Sequence, residues 1–240
     1  MSLWKGAWLL ARQELAVSRV GLIFTLLSTL YLALITFPFM NEIAENSVSA
    51  LSAIPFDFFF LTVLPCLGFS MNKTMFRLWS EDGITKSLAQ LRTMPISLQQ
   101  IAAGRLIVLL LILTPAIVSF FTLMYVVNGS LREMMSIGQF ILYSLFWYGY
   151  CVAMSSSYIY WELGYSGRTY FIACILYIII LIPTTIVINL QGGSILITIL
   201  RATQQGQWWI SAAALALGAA VLLLFYRLIC RRLHYRSYLS

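Results

Sequence analysis

Few side chains in this chain of 240 residues are of the kinds that make or break bonds. Gly164-Tyr165-Ser166-Gly167 has the form G-x-S-G, in which a serine attacks when a histidine base lies beside it. The only histidine, His234, stands in a basic tail beyond the last apolar segment, so Ser166 has no base and reads as a turn residue. Cys66, Cys151, Cys174 and Cys230 lie in or at the end of apolar segments without metal-ligand spacing, and read as small packing residues. There is no G-x-x-x-x-G-K-S/T phosphate loop and no H-E-x-x-H metal pair, and Glu81 and Asp82, adjacent in sequence, cannot chelate together from one helical face. The residue types therefore point away from an enzyme, with no catalytic residue, metal ligand or bound cofactor expected.

Three positions carry other chemistry. Asp57 precedes Phe58-Phe59-Phe60, and a carboxylate entering an apolar zone is expensive and often functional. Its plainer reading is a residue at the start of its own helix, favoured there by the helix dipole. Pro115 and Pro183 fall within apolar runs that they can kink, the second beside Thr184 and Thr185. Asp57, Pro115 and Pro183 are the candidates for a pathway or gate.

The elements that must hold these residues follow from composition. The chain is 61% hydrophobic, 15% aromatic and only 10% charged, and its mean hydropathy is +0.88. Apolar runs of about 20 residues suit the roughly 30 Å of bilayer hydrocarbon, where only helices and closed barrels satisfy the backbone. The expectation is an all-α polytopic membrane protein, a single domain over 1–240, with six spans near 20–40, 55–76, 104–127, 137–160, 169–190 and 208–229. Of the fifteen basic residues, thirteen fall in the N-terminal segment, the 72–105 interval, the connection after the fourth span and the tail. Only Arg132 and Arg201 fall opposite, which predicts that both termini are cytoplasmic. The net charge of +7 is thus distributed for a membrane rather than for nucleic acid.

Along residues 1–18 and into Arg19, Lys5, Arg12 and Arg19 recur every seven residues on one helical face and Leu3, Ala7 and Leu10 share another, the pattern of a helix over 1–18 lying in the membrane interface. The short connection 128–136 reads as a turn. Within 191–207, Ser194 to Leu200 is apolar but too short to cross, and is expected to dip into the outer leaflet or cap a pathway. The last span carries Ala212, Ala216 and Ala220 at four-residue spacing, which permits close helix packing within the subunit or across a dimer.

The longest polar interval, Trp79 to Arg105, lies between the second and third spans. Ser80 or Asp82 can cap a short amphipathic helix with Ile84, Leu88 and Leu91 on one face. Pro95 ends it, since the residue before proline is biased away from the helical region. Ser97 with Gln100 three residues on then forms a capping box, opening a second helix that runs through Gly104 and Arg105 into the third span. A short helix held between two long ones is a lever.

Glu81-Asp82-Gly83 with Thr85, then Leu88 and Leu91, then Arg92-Thr93-Met94-Pro95-Ile96-Ser97, then Ile101 and Gly104-Arg105, resembles the cytoplasmic loop of ABC-2 type transporter permeases. The usual run there is an acidic residue, Gly-Thr, spaced leucines, Pro-Ile-Ser and Ile-x-x-Gly-Lys. This chain departs from it with Asp82, with Ile84 between Gly83 and Thr85, and with Arg105 for lysine. The resemblance implies the permease subunit of an exporter in a bacterial plasma membrane, dimerising with a second copy or a paralogue and docking separate ABC ATPase subunits. Those subunits would hold the ATP and Mg. It assigns Glu81, Asp82, Gly83, Thr85, Leu88, Leu91, Arg92, Pro95 and Ser97 to ATPase coupling across the 80–97 region, and makes 1–18 an interfacial connector helix. Export of a peptide or a hydrophobic, antibiotic-like compound is the expected activity. The competing expectation is a non-transport scaffold or assembly factor that binds a cytoplasmic partner through the 80–105 loop.

Overall fold

The computed structural model describes residues 2–44, 50–69, 83–92 and 96–235. Among these, every regular element is helical: α1 Leu3–Val17, α2 Arg19–Ala44, α3 Ala50–Cys66, α4 Gly83–Arg92, α5 Leu98–Val127, α6 Gly129–Met134, α7 Ile137–Gly164, α8 Gly167–Leu190, α9 Ile195–Gln204 and α10 Trp208–Tyr235. α2, α5, α7, α8 and α10 are long and apolar enough to cross a membrane. A helix is present over the N-terminal segment as α1, and the predicted turn at 128–136 contains a short helix, α6, capped by Asn128, whose Oδ1 accepts from Leu131 N at 3.1 Å.

Of the second expected span, 55–76, the structure describes 55–69. α3 starts at Ala50 and its helix ends at Cys66, 17 residues in all, while residues 70–82 lie outside the described ones. The cause is local. Pro65 has no N–H and so frees the carbonyl of Leu61, which accepts instead from the Tyr150 hydroxyl at 2.8 Å. Ser155 Oγ donates to the Pro65 carbonyl at 2.7 Å, and Leu67, Gly68 and Phe69 close tight turns onto Leu64, Pro65 and Cys66. Side chains of α7 thus replace the backbone partners that a continued helix would supply, as an apolar surround demands.

The bundle has two ends. At one, α4 packs against α7 and α8, α1 lies along the first half of α5, and Arg232 of α10 donates to the Gly164 carbonyl at 3.4 Å. Leu88, Ile101, Leu106, Tyr158, Leu163 and Leu233 form part of the hydrophobic cluster here. At the other end lie α6, α9 and the start of α7, where Gln139 Nε2 donates to the Gln204 carbonyl at 2.7 Å. A larger, aromatic-rich core fills that half, with Phe60, Phe120, Tyr143 and Trp147 fully buried.

Glycines set the closest contacts. A Cβ on Gly149 of α7 would lie 2.5 Å from the Ala214 carbonyl oxygen of α10, and one on Gly218 would lie 2.5 Å from that of Gly149. Ser211 Oγ completes the seam by donating to the Leu142 carbonyl at 2.7 Å. The packing face of α10 is therefore Ser211, Ala214 and Gly218, and the stripe of Ala212, Ala216 and Ala220 is exposed on another face of the helix, away from this seam. Likewise α1 buries Gly6, Ala7 and Ala11 and leaves Trp4, Lys5, Trp8 and Arg12 exposed.

Candidate functional site

Two places gather the polar side chains that an apolar chain can least easily hold. The first is the junction of α1, α4, α5 and α7. Ser97 opens α5 with the capping box expected of it: Gln100 N donates to Ser97 Oγ at 3.2 Å and Ser97 N donates to Gln100 Oε1 at 3.0 Å. The same Gln100 side chain reaches α1, with Nε2 donating to the Ser2 carbonyl at 3.4 Å. One turn on, the backbones of α5 and α1 approach so closely that a Cβ on Gly104 would meet the Ala7 carbonyl oxygen at 3.1 Å. Arg105 follows and is shared by two carboxylates: it pairs with Glu14 of α1 and, at 2.6 Å, with Glu162 of α7. Arg105 is 22% exposed, Glu162 13% and Glu14 38%, so the Glu162 arm is the better shielded from solvent. Glu162 Oε2, on the far side, is buried and has no hydrogen-bond partner.

α4 is seated beside this network. Thr85 and Leu88 are buried and Leu91 is half-buried, so the side of α4 that carries Leu88 and Leu91 points into the bundle. Leu88 joins Tyr158 and Leu163 of α7, Tyr170 of α8 and Leu233 of α10 in one hydrophobic cluster, against which Leu91 also packs. Full burial of a leucine is worth about 1.5–3 kcal/mol, enough to hold one short helix in place. Of the other residues assigned to coupling, Gly83 and Arg92 bound α4, Ser97 caps α5, and Glu81, Asp82 and Pro95 lie outside the described residues.

The second place is Asp57. Rather than opening its own helix, it lies inside α3, wholly buried, and faces the start of α9. Its Oδ1 accepts from Ser194 Oγ at 3.0 Å and Leu196 N at 2.9 Å, and its Oδ2 from Asn189 Nδ2 at 2.9 Å and Ile195 N at 3.2 Å. Four donors and the positive end of a helix dipole replace the water that a buried carboxylate gives up. Ser194 also caps α9, and Gly192, at a φ of 78°, makes the turn that brings α8 back into it. Pro115 and Pro183 are not brought to this place. Both are exposed on the outer faces of α5 and α8, where Ser119 donates to the Pro115 carbonyl and Thr184 and Thr185 donate back to Ile180 and Leu181.

Glu14, Glu162, Asn189 and Ser194 were not among the residues expected from sequence. Two carboxylates facing the basic end had to find a cation, which marks Glu14 and Glu162 as partners for an arginine on α5. A serine directly before the apolar run 195–200 is an N-cap signal that marks Ser194.

The fold and these sites define a polytopic helical membrane protein. Set against protein-family models, curated proteins and solved structures, the chain matches none of them.

Proposed function

We propose that the chain is the permease subunit of an ATP-driven exporter of the ABC-2 type, pairing with a second copy or a paralogue and receiving its mechanical input through α4 from separate ATPase subunits. In this reading α2, α3, α5, α7, α8 and α10 are six crossings, and the end that carries α1, α4 and the close of α10 faces the cytoplasm of a bacterial cell, because the basic residues gather there. ATP and Mg reside on the partner, and the cargo is a peptide or a hydrophobic, antibiotic-like compound.

The observation that carries the reading is the seat of α4. Leu88 sits in one cluster with the ends of α7, α8 and α10, while the chain leaving α4 leads within six residues to the capped start of α5. A force on α4 is therefore delivered to four long helices at once. Arg105, through Glu14 and Glu162, ties α1 and α7 to the same motion. A partner that moves α4 would bias the bundle between two arrangements of packed helices.

Purification of the chain from its native membrane tests this. A nucleotide-hydrolysing subunit is expected to copurify, and its ATPase activity in the complex is expected to change on Leu88→Asp or Glu81→Ala. A hydrolysis rate indifferent to both changes would overturn the reading, and a copurifying partner without nucleotide hydrolysis would replace it with the scaffold.

A further inference from the structure

We infer that the outer face of α1 is a docking surface for anionic phospholipid headgroups, with Lys5, Arg12 and Arg19 as the row that meets their phosphates. Only a bilayer around the chain is presupposed, so this goes beyond the permease reading and does not rest on it.

The two sides of α1 differ in what satisfies them. One side belongs to α5: the Ser2 carbonyl accepts from Gln100 at 3.4 Å, Ala7 lies against Gly104, Ala11 clusters with Val108 and Ile112, and Glu14 pairs with Arg105. Glu14 is the one carboxylate of α1, and Arg105 has taken it. The other side carries Trp4, Lys5, Trp8, Leu9, Arg12 and Val17, all exposed. Arg19 and Val20, exposed too, prolong it past Ser18, where Ser18 N donates to the Glu14 carbonyl and Leu22 N to that of Ser18. Lys5 and Arg12 stand about 10 Å apart along the helix. None of the three cations has an ion-pair partner among the described residues.

The borders of this row point to its occupant. Trp4 and Trp8 flank it, 70% and 55% exposed, and an indole favours the layer where acyl chain gives way to water. Past Arg19 the exposed positions turn apolar, with Val20, Ile23, Phe24, Leu26 and Leu27 of α2, a helix long and apolar enough to cross a membrane. One exposed strip thus passes from acyl-chain contacts on α2 to cations and indoles on α1, which is the order of layers in a leaflet. A nucleic acid or an acidic protein would match the charge but neither the indoles nor the apolar continuation. An anionic phospholipid matches all three, with its phosphate at the basic row and its acyl chains along α2.

Other cations are exposed at this end, Arg168 on α8 and Arg227 and Arg231 on α10, but no exposed tryptophan lies within two turns of them along their helices. α1 is also the helix whose inner side is fastened to α5, so a headgroup held on its outer side bears on the opening turns of α5 as well.

Hydrogen exchange on the full chain in nanodiscs tests this, comparing discs of phosphatidylcholine alone with discs that also contain phosphatidylglycerol. The anionic lipid is expected to slow exchange across residues 3–17 by about fivefold or more, the effect of a single cation at a charged leaflet. High salt should shrink the difference. Lys5→Gln, Arg12→Gln and Arg19→Gln together should abolish it. Arg168→Gln, Arg227→Gln and Arg231→Gln together, an equal loss of charge at the same end, should leave it in place. All six side chains are exposed, so both triple variants are expected to fold. Exchange over 3–17 that ignores phosphatidylglycerol overturns the inference. So does a difference that both triple variants abolish alike, since that is a response to net charge and not to a site. Equal slowing by inorganic phosphate in phosphatidylcholine discs would make the face a free-anion site and overturn it too.

Discussion

Gly149 of α7 and Gly218 of α10 lie face to face, each leaving no room for a Cβ because the backbone across the seam would stand 2.5 Å from it. The contact is made by main chain against main chain, and its strength comes from dispersion and close approach rather than from large side chains. Gly149→Val would force α7 and α10 apart along a seam that Ser211 also closes. A loss of about 2–4 kcal/mol is expected, in the range of severe overpacking. Denaturant unfolding in detergent measures it, with Gly138→Ala as the control: a Cβ there meets nothing within 4 Å and should leave stability equal or slightly higher.

Arg105 stands between Glu14 and Glu162, and removing it leaves a carboxylate whose second oxygen is already buried and unpaired. Arg105→Gln is expected to destabilise by about 2–3 kcal/mol, because Glu162 is then an unpaired charge in a largely buried place. Glu14→Gln, on the more exposed arm, is expected to lose less than about 1 kcal/mol. Arg105→Lys should fall between them, since an ammonium lacks the fork that reaches two carboxylates at once. Equal losses for all three in an unfolding titration would mean that the network does not bind these helices together.

Leu88 is buried, but the helix it anchors is short and lies at the edge of the bundle. Leu88→Ala should therefore release α4 locally rather than unfold the molecule. Hydrogen exchange is expected to rise across residues 83–92 by about tenfold or more, with little change in α7, α8 and α10, and protease nicking should increase in the same interval. Exchange spread evenly over the chain would show instead that α4 is part of the global core.

The Tyr150 hydroxyl takes up the Leu61 carbonyl that Pro65 leaves without a donor. Tyr150→Phe keeps the ring and removes only that bond, at a cost of about 1–2 kcal/mol. Pro65→Ala, added to the Tyr150→Phe variant, returns a backbone N–H to that carbonyl. A double-mutant cycle should therefore show the two changes to be non-additive, with the pair less damaging than the sum.

The long helices were legible because each spanning run is apolar on nearly every face, so its length and ends stand out without knowledge of its neighbours. The start of α5 was legible for a local reason as well, the Ser97 and Gln100 pair acting within one turn. Asp57 was visible as an expensive carboxylate, but its partners lie 132 to 139 residues further along the chain, and no short-range pattern ties them together. The end of α3 was hidden because the apolar run continues past Cys66, and what makes the break tolerable is Tyr150, a residue of another helix. The small residues of α10 form more than one stripe. Which of them packs is decided by Gly149 on α7, so the choice could not be read from α10 alone.

The shortness of α3 has a consequence for how the bundle is covered. At 1.5 Å per residue its 17 residues give about 25 Å of helix, less than the roughly 30 Å of hydrocarbon in a typical bilayer. The neighbouring α5, α7, α8 and α10 have 24 to 30 residues and no such shortfall. Along 52–66 only Pro55 and Cys66 are exposed, so were α3 one of six crossings its shortfall would be met by the helices packed around it rather than by thinned acyl chains, and the bundle could keep a short central helix without deforming the bilayer at its rim.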